Sequence, residues 1–139
     1  MKIEHFAMYV LDLEGAKDFF VRYFDATPGE LYHNKQTGFK SYFLSFGDGS
    51  RLEVMTRPGL AKSKASSLRC GYIHLAFGVA NDEAVDALTE RLRGDGYEVA
   101  SGPRATGDGC YESCIVDLEG NLIEIVSLSH SNAIQTPLK

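Results

Sequence analysis

Cys110-Tyr111-Glu112-Ser113-Cys114-Ile115-Val116-Asp117-Leu118-Glu119-Gly120-Asn121-Leu122-Ile123-Glu124-Ile125-Val126-Ser127 is the stretch whose reading decides the fold. Two runs rich in β-formers flank a tight Glu-Gly turn, which is a hairpin signature. Within the returning run, Glu124 is a charge among Leu122, Ile123, Ile125 and Val126. A lone strand Glu usually points to solvent on a half-exposed sheet. A buried one needs a partner, and a metal ion is one of the few good ones.

The chain upstream repeats the plan of this hairpin. Phe39 to Phe46 reads as a strand, Gly47-Asp48-Gly49 as a turn, and Ser50 to Met55 as the returning strand. In that strand Leu52 and Val54 face one way, and Arg51, Glu53 and Met55 the other. Each hairpin is preceded by a strand and a helix. Residues 2 to 10 form the first strand, with Phe6, Met8 and Val10 on one face and His5, Ala7 and Tyr9 on the other. Asp12 is the N-cap of a helix whose stripe is Ala16, Phe19, Phe20, Tyr23 and Phe24, stopped by Thr27-Pro28-Gly29. Glu30 to His33 reads as a short strand and Asn34 to Gly38 as a polar turn. In the second half, Tyr72 to Val79 is the strand, with His74, Ala76 and Gly78 on one face. Asn81 or Asp82 caps the helix, Val85, Leu88 and Leu92 form its stripe, and Gly94 and Gly96 end it. Tyr97 to Ala100 is a short strand, and Ser101 to Gly109 a Gly- and Pro-containing loop that carries Arg104.

The chain is therefore an internal repeat. The fold class is α+β, with two βαβββ modules, residues 1–57 and 71–128, forming a curved mixed sheet around a cleft. Residues 58–70 read as a polar linker and 129–139 as a tail. His5 and His74 lie 69 positions apart, and Glu53 and Glu124 lie 71 apart, so two extra residues in the second half bring both pairs into register. One His or one Glu in a strand is usually structural. Two of each at equivalent positions point to a divalent-metal site made of His5, Glu53, His74 and Glu124. Two neutral imidazoles and two carboxylates balance the charge of such an ion.

Composition is that of an ordinary globular protein, 44% hydrophobic and 24% charged over 139 residues. A net charge of −5 leaves no footprint for nucleic acid or anionic membranes, and no apolar run approaches a membrane span. The N-terminal residues carry no signal-peptide pattern, so the expected location is the cytoplasm, with Cys70, Cys110 and Cys114 as reduced thiols. Cys110 and Cys114 read as small buried hydrophobes. His33 and His130 have no repeat partner and read as solvent-facing. Arg57 and Arg104 read first as solvated arginines, with Arg104 the better candidate for a substrate carboxylate. The strand parity of Tyr111 and Glu112 is left open.

The paired modules, His5, the run Tyr72-Ile73-His74-Leu75-Ala76-Phe77 and the run Asp117-Leu118-Glu119-Gly120-Asn121-Leu122-Ile123-Glu124-Ile125 resemble the vicinal oxygen chelate superfamily. This is the fold of glyoxalase I, bleomycin-resistance proteins and extradiol dioxygenases, and the resemblance runs from about Ile3 to Val126. The set His5, Glu53, His74, Glu124 resembles that of glyoxalase I. The resemblance implies a metal-dependent lyase that moves a proton within a thiol adduct of a 2-oxoaldehyde such as methylglyoxal. Glu124 would be the base and Glu53 its pseudosymmetric partner, with Ni, Zn, Co or Mn as the metal and a homodimer as the assembly. Tyr9 stands where bacterial glyoxalase I carries an Arg that helps hold glutathione, which points to another thiol or another substrate. Phe24-Asp25-Ala26 replaces the usual Leu-Gly-Met, and Asp117-Leu118 the usual Asp-Pro. The alternatives are another metal-dependent member of the fold, an epimerase, dioxygenase or thiol transferase, or a non-enzymatic drug- or metabolite-binding resistance protein.

Overall fold

A computed structural model describes residues 1–62 and 70–133, and the side chains of all but 131–133 among them. Part of the segment read as a linker, 63–69, and most of the tail, 134–139, lie outside the described residues. The chain divides into two compact units, Met1–Lys64 and Ala65–Lys139.

In the first unit, β1 (Phe6–Tyr9) leads into α1 (Leu13–Phe24), followed by β2 (Thr27–Pro28), β3 (Tyr32–His33), β4 (Lys40–Ser45) and β5 (Arg51–Thr56). The strands form one mixed sheet in the order β1-β5-β4-β2, with β3 also on β4. β1 and β5 run parallel, and the other pairs are antiparallel. Asp12 caps α1 as expected, its carboxylate accepting from the Gly15 N–H at 2.9 Å. The stripe Ala16, Phe19, Phe20, Tyr23 and Phe24 is buried with Leu44, Leu52 and Val54, which forms this unit's core. The helix ends earlier than the Thr27-Pro28-Gly29 stop. Asp25 takes the left-handed conformation at φ 53° and closes it, while Thr27 and Pro28 already pair with Ser45 and Leu44.

In the second unit, β6 (His74–Val79) precedes α2 (Asp82–Gly94), β7 (Val99–Ala105), β8 (Tyr111–Val116), β9 (Leu122–Ser127) and a 3-10 helix (Leu128–Ala133). The sheet order is β6-β9-β8-β7, with β6 and β9 parallel and the rest antiparallel. Asn81 rather than Asp82 is the N-cap, accepting from the Ala84 N–H. Val85, Thr89 and Leu92 of α2 are buried, as are Ile115, Ile123 and Ile125 of the sheet. Thr89 joins the stripe despite its hydroxyl because that group has two partners, the Val85 carbonyl and the Ser113 hydroxyl, each at 2.6 Å.

The repeat holds at the level of register. Ala7 pairs with Glu53 and Ala76 with Glu124 in the parallel ladders; Phe43 pairs with Glu53 and Cys114 with Glu124 in the antiparallel ones. Offsets of 69 before the helix and 71 after it are thus the real correspondence. Each unit holds one mixed sheet, as the reading of two α+β modules expects.

Candidate functional site

The turn between β8 and β9 sets Glu124. The Asp117 carboxylate accepts from the backbone N–H groups of Glu119 and Asn121, each at 2.8 Å, and from the Asn121 amide at 2.9 Å. Gly120 supplies the left-handed residue at φ 88°. From that anchored turn, β9 alternates, with Ile123 and Ile125 buried toward α2 and Leu122, Glu124 and Val126 only partly covered on the opposite face. The first unit uses the same device. Asp48 accepts from the Ser50 N–H at 2.9 Å, Gly49 sits at φ 85°, and Leu52 and Val54 point inward while Glu53 points out.

His74 opens β6 two residues before the Cα partner of Glu124, and its Nε2 lies 3.5 Å from Glu124 Oε2. His5 precedes β1 by the same logic, two residues before Ala7, the Cα partner of Glu53. Its ring stands edge-on to Phe43 at 5.2 Å, and its Nδ1 contacts Glu4, which also pairs with Arg51. Among the described residues, no group of three or more His, Cys, Asp or Glu is close enough to hold a metal ion. The pair His74–Glu124 nevertheless fits a divalent cation. Two N and O ligands about 2.0–2.2 Å from one ion, at tetrahedral to octahedral angles, stand roughly 3.0–3.5 Å apart.

Three residues join Glu124 on its face. Cys114 is its Cα partner, and Glu112 lies one diagonal step along β8. Burial first, and then the Glu124 charge, push the Glu112 carboxyl above its ordinary value, against the pull of Arg104. Arg104 Nη1 lies 3.9 Å from Glu112 Oε1, and the two residues are Cα partners. Two carboxyls on one face of neighbouring strands concentrate negative charge, which suits a metal-binding donor set.

Several readings change here. Arg104 lies in β7, not in a loop, because the strand continues through Ser101, Gly102 and Pro103 with two register shifts. Glu112 shares the Glu124 face, whereas Tyr111 turns the other way and donates to Asp86 of α2 at 2.7 Å. Alternation from Cys114, the 71-residue counterpart of Phe43, signals this parity. Cys110 is buried as expected, but Cys114 is only partly covered and stands beside Glu124. Its thiol is raised, chiefly by burial and then by Glu124 and Glu112. His130 keeps an exposed side chain but has a partner, its Nε2 meeting Asp82 Oδ1 at 2.9 Å. Tyr9 ends β1 half exposed, on the His5 side by alternation, and Arg57 is exposed just past β5.

Residues 2–125 match the family model described as Glyoxalase/Bleomycin resistance protein/Dioxygenase superfamily. The chain belongs to that superfamily, and its two helices over mixed sheets are the α+β modules of the vicinal oxygen chelate fold. No match was found among curated proteins. Among solved structures, it is similar to the fosfomycin resistance protein FosX of Listeria monocytogenes, with 21% identity over 97% of this chain and 98% of that one and a TM-score of 0.70. It is also similar to the trypanothione-dependent glyoxalase I of Leishmania major, with 19% identity, coverage of 95% and 90%, and a TM-score of 0.77. A possible glyoxalase of Bacillus cereus shares 25% identity, with coverage of 91% and 98% and a TM-score of 0.67. The Listeria protein has been seen with Mn(II) and sulfate. No described helix is long and apolar enough to cross a membrane.

Proposed function

We propose that this chain is a divalent-metal-dependent enzyme of the glyoxalase I type, with His5, Glu53, His74 and Glu124 as metal ligands. The observation that carries the reading is the His74–Glu124 pair, 3.5 Å apart on neighbouring strands, matched in register by His5 and Glu53. Ni, Zn, Co or Mn suits this donor set. The Mn(II) held by the Listeria neighbour agrees with a hard or borderline cation.

When bound, such an ion polarises adjacent substrate oxygens and stabilises negative charge that develops on them. The chain's residues do the rest. In a hemithioacetal, Glu124 takes the proton from the carbon that bears hydroxyl and sulfur, then returns it to the neighbouring carbonyl carbon. The hydroxyl proton moves to the other oxygen, so the product is the isomeric 2-hydroxy thioester and no redox partner is consumed. Glu53, the pseudosymmetric carboxylate, stays a ligand or serves the opposite substrate face. Tyr9, Arg57 and Arg104 are proposed to contact substrate. The assembly is a homodimer acting on a small molecule in the cytoplasm.

The test is isomerisation of methylglyoxal adducts of several small thiols by metal-loaded protein, with Glu124→Gln as control. Turnover lost in that variant supports the reading. Inactivity with every thiol, despite one bound metal per chain, would move the assignment to the second reading. That reading is a metal enzyme of the fosfomycin-resistance kind. It is favoured by Tyr9 standing where bacterial glyoxalase I holds glutathione and by the likeness to the Listeria protein.

A further inference from the structure

We infer that Glu4 is a positioning residue for His5, holding its Nδ1 so that Nε2 is the nitrogen left to ligate a metal. The inference rests on the metal reading above. The Glu4 carboxylate meets His5 Nδ1 through Oε2 and Arg51 Nη2 through Oε1. Phe43 packs against both of these partners. The His5 ring stands edge-on to it at 5.2 Å between centroids, and the Arg51 guanidinium lies 4.4 Å from its centroid. Phe43 is also the Cα partner of Glu53, so the circuit Glu4, His5, Phe43 and Arg51 adjoins the root of the other first-unit ligand.

A neutral imidazole carries one hydrogen, on Nδ1 or on Nε2. An ionised carboxylate only accepts, so the ring nitrogen that meets Glu4 is the one that carries the hydrogen. Nε2 then keeps its lone pair, the form in which an imidazole binds a cation. A carboxylate behind a ligating histidine fixes tautomer and ring orientation in this way. His5 and Glu4 keep 35% and 57% of their side-chain surface exposed. A pair that open adds little to stability, so its effect falls on the imidazole rather than on the fold. Arg51, anchored on the Phe43 ring, fixes the second carboxylate oxygen. The second unit carries neither residue. At the 69-residue offset Ile73 stands in the place of Glu4, and at the 71-residue offset Leu122, the Cα partner of His74, stands in that of Arg51. The two histidines are therefore not equivalent. A carboxylate meets His5 at Nδ1, whereas His74 has its Nε2 at 3.5 Å from Glu124.

Two measurements on the full chain test this. Long-range proton–nitrogen NMR correlation of the metal-free protein, with His5→Gln to assign the signals, reads the His5 tautomer at a pH where the imidazole is neutral. Calorimetric titration with MnCl2 and NiCl2, together with the visible spectrum of the Co(II) form, reads the site. The variants are Glu4→Ile and Arg51→Leu, which copy the second unit, Glu4→Gln, and the Glu4→Ile/Arg51→Leu pair. Wild type is expected to carry the hydrogen on Nδ1. Glu4→Ile is expected to lose that preference, weaken metal binding about 10- to 100-fold and alter the Co(II) band. Glu4→Gln, whose amide oxygen still accepts from Nδ1–H, is expected to recover most of both. Arg51→Leu should cost less and add little once Glu4 is gone. An Nε2–H tautomer in wild type, or unchanged affinity in Glu4→Ile, overturns the inference and leaves the metal reading standing. Glu4→Gln as weak as Glu4→Ile overturns it in favour of a simple charge effect. A wild type that shows the Nδ1–H tautomer but takes up neither metal overturns the metal reading and the role of Glu4 with it. If Glu4→Ile fails to fold by circular dichroism, Glu4→Ala decides in its place.

Discussion

His74 Nε2 and Glu124 Oε2 face each other at 3.5 Å across the parallel β6–β9 ladder. That spacing suits two ligands of one cation better than a hydrogen-bonded pair. Glu124→Gln should therefore reduce metal content well below the wild-type value and cut isomerase turnover by about 10²–10⁴-fold. Atomic absorption on protein purified without chelator, followed by turnover after reconstitution, checks both. Wild-type metal content in the variant would remove Glu124 from the ligand set.

Glu112 should make the metal-free protein's stability depend on pH. Its carboxyl is raised in the folded state, by burial first. A carboxyl with a raised folded value opposes folding when ionised, and the penalty fades as pH falls through that value toward the ordinary 4.5. Glu112→Gln should accordingly raise the Tm of chelator-treated protein at pH 7, with the gain vanishing near pH 4. An equal Tm at both pH values would contradict the raised carboxyl.

The segment after β9 is tied to the start of α2 through Asp82. Its carboxylate takes His130 Nε2 at 2.9 Å and the Ser129 hydroxyl at 3.2 Å. It is lowered, chiefly by Ser127 and then by His130. A lowered carboxyl stabilises above its ordinary 3.8, and the contribution is lost as pH falls through the folded value. Hydrogen exchange over 127–130 should therefore speed up below about pH 4 in wild type, and at pH 7 in Asp82→Asn. Unchanged exchange in the variant would show that the 3-10 helix is held by other contacts.

Gly102 is required where β7 meets β8. It has φ 77°, and a Cβ there would come within 2.6 Å of the Glu112 carbonyl oxygen. Gly102→Ala should cost about 2 kcal/mol or more. A urea melt gives the value, and no loss of midpoint would mean that β7 is freely displaced from β8.

Asp25 closes α1 at φ 53°, a conformation that costs a non-glycine residue roughly 1–2 kcal/mol, and less for Asp. Asp25→Gly should gain up to about 1 kcal/mol, whereas Phe20→Ala, at 1% exposure in the same unit, should lose about 3–5 kcal/mol. Thermal melts of the two variants move in opposite directions if the cap and core are as described.

Much of this was legible in the chain alone. Strand alternation separated Leu52 and Val54, which prove buried, from Glu53 on the opposite face, and helical spacing picked the α1 stripe, because both periods follow from backbone geometry. The repeat offsets fell on the true register, because aligned hairpins oblige equivalent residues to meet equivalent partners. Arg104 was misplaced because Gly102 and Pro103 are punctuation in local propensity; only pairing with β8 makes them part of a strand.

What sequence alone determined is the kind and period of the two helices and the two main hairpins, and the equivalence of His5 with His74 and Glu53 with Glu124. Those depend on residues a few positions apart and on a repeated pattern. What only the tertiary structure decided is the company that Glu124 keeps: His74 across one ladder, Glu112 diagonally across the other and Arg104 one strand further out. The first joins the first and last strands of the unit, and the other two join successive strands. Register and side-chain reach, which no local pattern encodes, are what bring them together.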